Sequence, residues 1–219
     1  MKLLRDLGSA FSYFSILPVG HGDQLPDDGA IAFLPLVGLV IGALSGLGAY
    51  GVWLLSHIGL AAAIVAWLLS IALSGAIHVD GFLDCCDGLF AMAPPERRLE
   101  IMRDPHHGTY ALVGMAIVTV VWLYALVQIP PDMLPVTLAV TGTFPRWGAV
   151  LLRSRNHGLA AVLGFVLSGA VGFLVLLFAR PRLGGVVNGD CYGAAIVVSE
   201  MVMLLAVPYV VFPHPVVWQ

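Results

Sequence analysis

The chain has 219 residues, of which 59% are apolar and only 11% charged, and its mean hydropathy of +0.95 is far above that of an ordinary soluble domain. That composition leaves room for about six spans of roughly 20 residues and for no separate soluble domain, so residues 1–219 read as one integral membrane domain. A net charge of −3 gives no case for nucleic-acid binding, and Cys85, Cys86 and Cys191 are too few and wrongly spaced for a disulfide framework or a zinc site.

In chain order, Lys2 to Phe14 carries apolar residues at 3, 4, 7, 11 and 14. This is helical periodicity in a segment too short to span, so it predicts an amphipathic helix lying on the membrane surface. Met1 to Ala10 lacks an apolar core long enough for a cleavable leader. Pro18 to Gly29 is a polar loop whose acids Asp23, Asp27 and Asp28 read as solvated. The spans follow at 31–55, 60–77, 110–129, 133–152, 159–178 and 192–212. Gly38, Gly42 and Gly46 recur every fourth residue in the first span, a stripe that lets a neighbouring helix approach closely. Arg146 in the fourth span and Glu200 in the sixth are charges that must face protein or water. An all-α polytopic membrane protein is therefore expected.

The ten basic residues fall at 2–5, 97–103, 146–155 and 180–182, while the links at 56–59 and 130–132 have none. The positive-inside rule puts the first three clusters in the cytoplasm. A single span at 159–178 would carry Arg180 and Arg182 to the opposite side.

Between the second and third spans lies an acidic island, residues 75–108, holding Asp80, Asp84, Asp87, Glu96, Glu100 and Asp104. As a helix, Asp80, Asp84 and Asp87 share one face at i, i+4 and i+7. Pro94-Pro95 ends that helix and opens a second, on which Glu96, Glu100 and Asp104 again share a face until Pro105. Like charges so placed repel, a bound cation reverses the penalty, and an all-oxygen ligand set points to a hard ion such as Mg2+. The competing reading is two solvated helices with Arg97, Arg98 and Arg103 as local partners, but it leaves three aspartates on one face unexplained.

His78-Val79-Asp80-Gly81-Phe82-Leu83-Asp84-Cys85-Cys86-Asp87-Gly88, followed by Glu96-Arg97-Arg98-Leu99-Glu100-Ile101-Met102-Arg103-Asp104 and Gly108, closely resembles the cobalamin synthase family, the adenosylcobinamide-GDP ribazoletransferases. Phe33 to Gly38, Pro145-Arg146-Trp147, Leu183-Gly184-Gly185, Asn188-Gly189-Asp190 and Gly193-Ala194 extend the resemblance over most of the chain. It implies a multi-pass enzyme of the bacterial inner membrane, active site facing the cytoplasm. Such an enzyme condenses adenosylcobinamide-GDP with α-ribazole or its 5′-phosphate and releases GMP. It also implies roles: Asp84, Asp87, Glu100 and Asp104 as metal ligands, Asp104 as base, and His78 and Asp80 positioning substrate or a second metal. Arg103, Arg146 and Asp190 would bind substrate. His106 and His107 are rival bases, or simply a polar loop. The stretch after the fourth span is shorter than the family's usual length. Counting 159–178 as one plain span puts Asp190 on the far side of the membrane, where it does no chemistry.

Asp84-x-x-Asp87-Gly88 and Glu100-x-x-x-Asp104 also resemble parts of the CDP-alcohol phosphotransferase motif, but Met92 stands where that motif has Arg and Glu96 where it has Gly. A phospholipid-making transferase is thus the nearer alternative and a metal or ion transporter the more distant one. The partners expected are the small-molecule substrates and the lipid bilayer, with a homo-oligomer left open.

Overall fold

The structure is a computed structural model that describes residues 2–19, 26–153 and 169–210. All regular elements among these residues are helical. They are α1 (Lys2–Phe14), α2 (Asp28–Ile31), α3 (Leu34–Ser56), α4 (Gly59–Leu73), α5 (Ile77–Phe90), α6 (Pro95–Met102), α7 (Thr109–Val127), a 3-10 turn (Pro131–Met133), α8 (Leu134–Arg153), α9 (Ala170–Arg182) and α10 (Gly189–Val210). Three of them, α3, α7 and α10, are long and apolar enough to cross a membrane, and α4 with α5 makes a fourth if that bent pair counts as one span. This supports the all-α membrane class; six separate spans are not distinguished.

The most extensive helix pairing joins α3 to α8, and the glycine stripe is its cause. A Cβ on Gly38 or Gly42 would collide with the carbonyls of Gly142 and Leu138, and one on Gly46 would sit 2.5 Å from Pro135 Cα. The two backbones are therefore in contact, as small-residue seams permit where lipid supplies no hydrophobic drive between helices. Behind this seam Ala63, Trp67, Val118, Trp122, Leu126 and Leu138 form the main core, with the Trp67 and Trp122 rings 4.6 Å apart.

The expected second span, 60–77, is cut short. α4 ends at Leu73, and Gly75 and Ala76 both take left-handed backbone angles, φ 61° and 60°. Glycine adopts that region freely, whereas Ala76 is strained there by about 1 kcal/mol. The pair turns the chain so that α5 leaves α4 at 89°. This corner lays the first acidic helix across the end of the bundle. Of the run 159–178, residues 159–168 lie outside the described residues; the remainder is helical and continues past Phe178 to Arg182. α10 packs along α5, close enough that a Cβ on Gly81 would lie 2.9 Å from Asp190 Cα.

Candidate active site at the crossing of α5 and α10

The acidic island does form two helices meeting at a Pro94-Pro95 break, but their acidic faces do not converge. α6 docks on α5 through its other face, with Met102 against Gly88 and Arg98 reaching the C-terminal carbonyls of α5. The Arg98 guanidinium donates to Ala93 O at 2.8 Å, to Gly88 O at 3.3 Å and to Leu89 O. Those carbonyls have no partner within the helix, and a guanidinium satisfies several at once. Glu96, Glu100 and Arg103 are left exposed, Glu100 paired with Arg97 at 2.7 Å. α6 also stops at Met102, so Asp104 falls in the following turn. There it accepts the His106 backbone N–H at 2.9 Å and faces the His106 ring nitrogen at 2.8 Å. These hydrogen bonds, the backbone one first, hold the Asp104 carboxyl below the usual carboxylate range, which weakens it as a base.

Asp87, expected as a metal ligand, has a different task in the fold. It is buried, and its carboxylate accepts from Gly108 N at 2.5 Å and from Ala111 N at 3.0 Å. Both are otherwise unpaired donors of the first turn of α7. Asp87 thus caps a helix 21 residues away in sequence from its nearer contact. Gly108 is required beside it, because a Cβ there would stand 2.9 Å from the Asp87 carboxylate.

Asp80 and Asp84 from α5 stand beside His107, and the first turn of α10 brings Asp190 against the same helix at Gly81. The Asp84 side chain is only 15% exposed. His107 lies over the pair, Nε2 3.7 Å from Asp80 Oδ1 and Nδ1 3.8 Å from Asp84 Oδ1. Asp190 is oriented by Asn188, whose amide donates to Asp190 Oδ2 at 2.8 Å while its carbonyl oxygen accepts the Cys191 N–H at 3.2 Å as the cap of α10. The expectation that Asp190 sits across the membrane from Asp84 is therefore wrong. α10 begins beside α5, so the two carboxylates belong to one face of the molecule.

Arg146 is 4% exposed and lies inside the bundle, ion-paired to Glu200, donating to Gly142 O at 2.7 Å and 3.5 Å from His78 Nδ1. This pairing holds α8 to α10, while the Arg146 Nε has no hydrogen-bond partner among the described residues and the side chain lines a small internal cavity with His78 and Glu200. His78 is buried between this pair and Phe14, on which it stacks with the rings 6.1 Å apart.

Among the described residues no three His, Cys, Asp or Glu side chains are already arranged as a metal cage. The donor chemistry nevertheless fits a hard divalent cation. Asp80, Asp84 and Asp190 supply only oxygens, and His107 is the basic side chain that stands against the first two. His107 and Asn188 were underrated in the sequence. Their signals were the placement of a His-His pair directly after the acidic helix, and an Asn two residues ahead of an Asp at a helix start.

The family profile described as cobalamin-5-phosphate synthase matches residues 6–163 and 151–208. An adenosylcobinamide-GDP ribazoletransferase of Deinococcus radiodurans is 32% identical over 91% of this chain and 84% of its own length. Proteins of the same name from Azorhizobium caulinodans and Klebsiella pneumoniae are each 31% identical, over 97% and 93% of this chain and 98% and 99% of their own. The Azorhizobium alignment extends over 260 residues against the 219 here, so that relative carries residues with no counterpart in this chain. No solved structure matches. With the profile covering the acidic island, the Arg146 helix and the Asp190 turn together, the chain belongs to the cobalamin-5-phosphate synthase family.

Proposed function

We propose that this protein is a membrane-embedded transferase joining adenosylcobinamide-GDP to α-ribazole or its 5′-phosphate, with release of GMP, as the last step of cobalamin assembly. The observation that carries the reading is Asp80 and Asp84 beside His107, with the Asp190 turn packed against the same helix, all within the stretch that the family profile covers. The reaction is a phosphoryl transfer. A ribazole hydroxyl oxygen bonds to the phosphorus on the cobinamide side of the diphosphate, the bond to the GMP oxygen breaks, and the hydroxyl proton must leave. His107 is the best-placed group to take it, because Asp104 is already occupied by His106. Asp80, Asp84 and Asp190 are the residues that would hold a Mg2+ ion, which would supply charge neutralisation for the phosphate oxygens. Asp80 and Asp84 also hold the His107 ring in place when no ion is bound, and Asn188 fixes the orientation of Asp190. Arg103, exposed just beyond α6, is a basic side chain available to a phosphate.

The topology follows from the same contact. With the acidic helices cytoplasmic, α3 and α4 form an outward-and-return pair, as do α7 and α8, and α10 crosses last. Asp190 on the side of Asp84 requires an even number of crossings between residues 153 and 189, and two full passes need about 40 residues. The proposed count is five, made by α3, the short 15-residue α4, α7, α8 and α10, with α9 not crossing. Arg180 and Arg182 then join the other basic clusters inside, which removes the conflict with the positive-inside rule. A bacterial inner membrane location with a cytoplasmic site is the consistent placement. The test is GMP release from adenosylcobinamide-GDP by purified protein with Mg2+, with and without α-ribazole. Release that ignores α-ribazole, or no release at all, would remove this function.

A further inference from the structure

Next to the acidic cluster the molecule has a cavity of about 370 Å3 that the site above does not use. Its body is apolar and partly aromatic, formed by Tyr13 and Phe14 of α1, Leu34 of α3, Val150 of α8 and Ile196 of α10. Its polar lining includes Asp190, Tyr192 and His78. Of these, Asp190 is already held by Asn188 and His78 lies against Arg146. Asp190 is thus shared between this cavity and the carboxylates that face His107.

From this geometry we infer that the cavity is the binding site for the aromatic base of the acceptor nucleoside, a benzimidazole, and that Val150 and Tyr13 help set its specificity. The inference rests on the transferase reading above and adds to it the place where one substrate sits. Polarity selects the occupant: the corrin carries a fringe of amide side chains, and guanine carries donors and acceptors around its whole edge. An apolar wall of Leu34, Val150 and Ile196 would leave several of them without partners, each at a cost of about 1–3 kcal/mol. A benzimidazole offers two ring nitrogens, one bonded to the sugar, and an otherwise apolar edge suited to such walls. With the base held there, the attached ribose emerges at Asp190, and its hydroxyl is delivered to the group of residues around Asp84.

The test is steady-state kinetics of Val150→Phe, which fills the cavity from a partly buried position, and Tyr13→Ala, which opens its rim. The expected result is a rise of about ten-fold or more in KM for α-ribazole in Val150→Phe. kcat at saturating α-ribazole and KM for adenosylcobinamide-GDP should stay within about two-fold, and Tyr13→Ala should shift in the same direction by less. A shift falling instead on adenosylcobinamide-GDP would assign the cavity to the donor and overturn the inference, as would unchanged constants for both substrates. A Val150→Cys chain settles the matter even if Val150→Phe does not fold. Its modification by a thiol reagent should be slowed several-fold by α-ribazole and not by GMP, and absence of protection refutes the site. This labelling needs no turnover. A wild-type protein that releases no GMP would therefore defeat the transferase reading separately from the question of what the cavity binds.

Discussion

The assignment of Asp87 to the fold, not to the metal, can be tested on stability alone. Asp87→Ala removes the acceptor of two N–H groups, those of Gly108 at 2.5 Å and Ala111 at 3.0 Å, at a buried helix start. A hydrogen bond to a charged acceptor contributes about 1.5–3 kcal/mol, and losing a helix cap costs about 1 kcal/mol. The two contacts share one carboxylate and are not additive, so the net expectation is a loss of about 3 kcal/mol, roughly 10 °C in a chain of this size. Asp87→Asn keeps one oxygen acceptor and should lose about half as much. The assay is thermal unfolding in detergent, followed by tryptophan fluorescence, with and without Mg2+. The loss should be the same in both conditions, since the carboxylate is spent on the α7 amides. If Asp87→Ala instead unfolds at the wild-type temperature and has lost only its Mg2+ response, the capping argument is wrong and Asp87 is a ligand.

Gly42→Val should be among the most damaging apolar changes, because its Cβ meets the rigid Leu138 carbonyl; a loss of ~3 kcal/mol, read as reduced folded yield, is expected. Arg146→Gln strands Glu200 in the bundle interior and should cost about 3–5 kcal/mol, whereas the double change Arg146→Met with Glu200→Leu should recover most of it. Equal damage in single and double variants would argue for a chemical role for the pair. His107→Gln should lower kcat by about 10²-fold or more, while Asp104→Asn should cost less than ten-fold; the reverse ranking would restore Asp104 as base. A cysteine at Asn188 and one at Pro94 should both react with an impermeant thiol reagent only after the membrane is permeabilised, and labelling of Asn188→Cys in intact cells would return Asp190 to the far side.

What the sequence determined by itself is local in origin. Apolar runs, the four-residue glycine repeat, the Pro94-Pro95 break and the acidic spacing each depend on helical periodicity or backbone chemistry within a few residues. They led correctly to helices, to a close helix approach along the Gly38, Gly42 and Gly46 stripe, and to two acidic helices broken at Pro94-Pro95; that α8 is the partner of the stripe came from the tertiary structure. The tertiary structure decided everything that depends on residues distant in the chain. Asp84 and Asp87 sit three positions apart on one helix, yet packing sets one beside His107 and the other onto the start of α7. The corner at Gly75 and Ala76 could not be read from composition, since alanine does not favour a left-handed angle and holds it here only within the surrounding packing. Arg146 and Glu200, 54 residues apart, read singly as charges in need of a polar face, and only the meeting of α8 with α10 shows that each is the other's partner. Asp190 was misplaced for the same reason. Counting spans treats each apolar run as a crossing, and nothing in an apolar run records which side of the bilayer its neighbours hold it to.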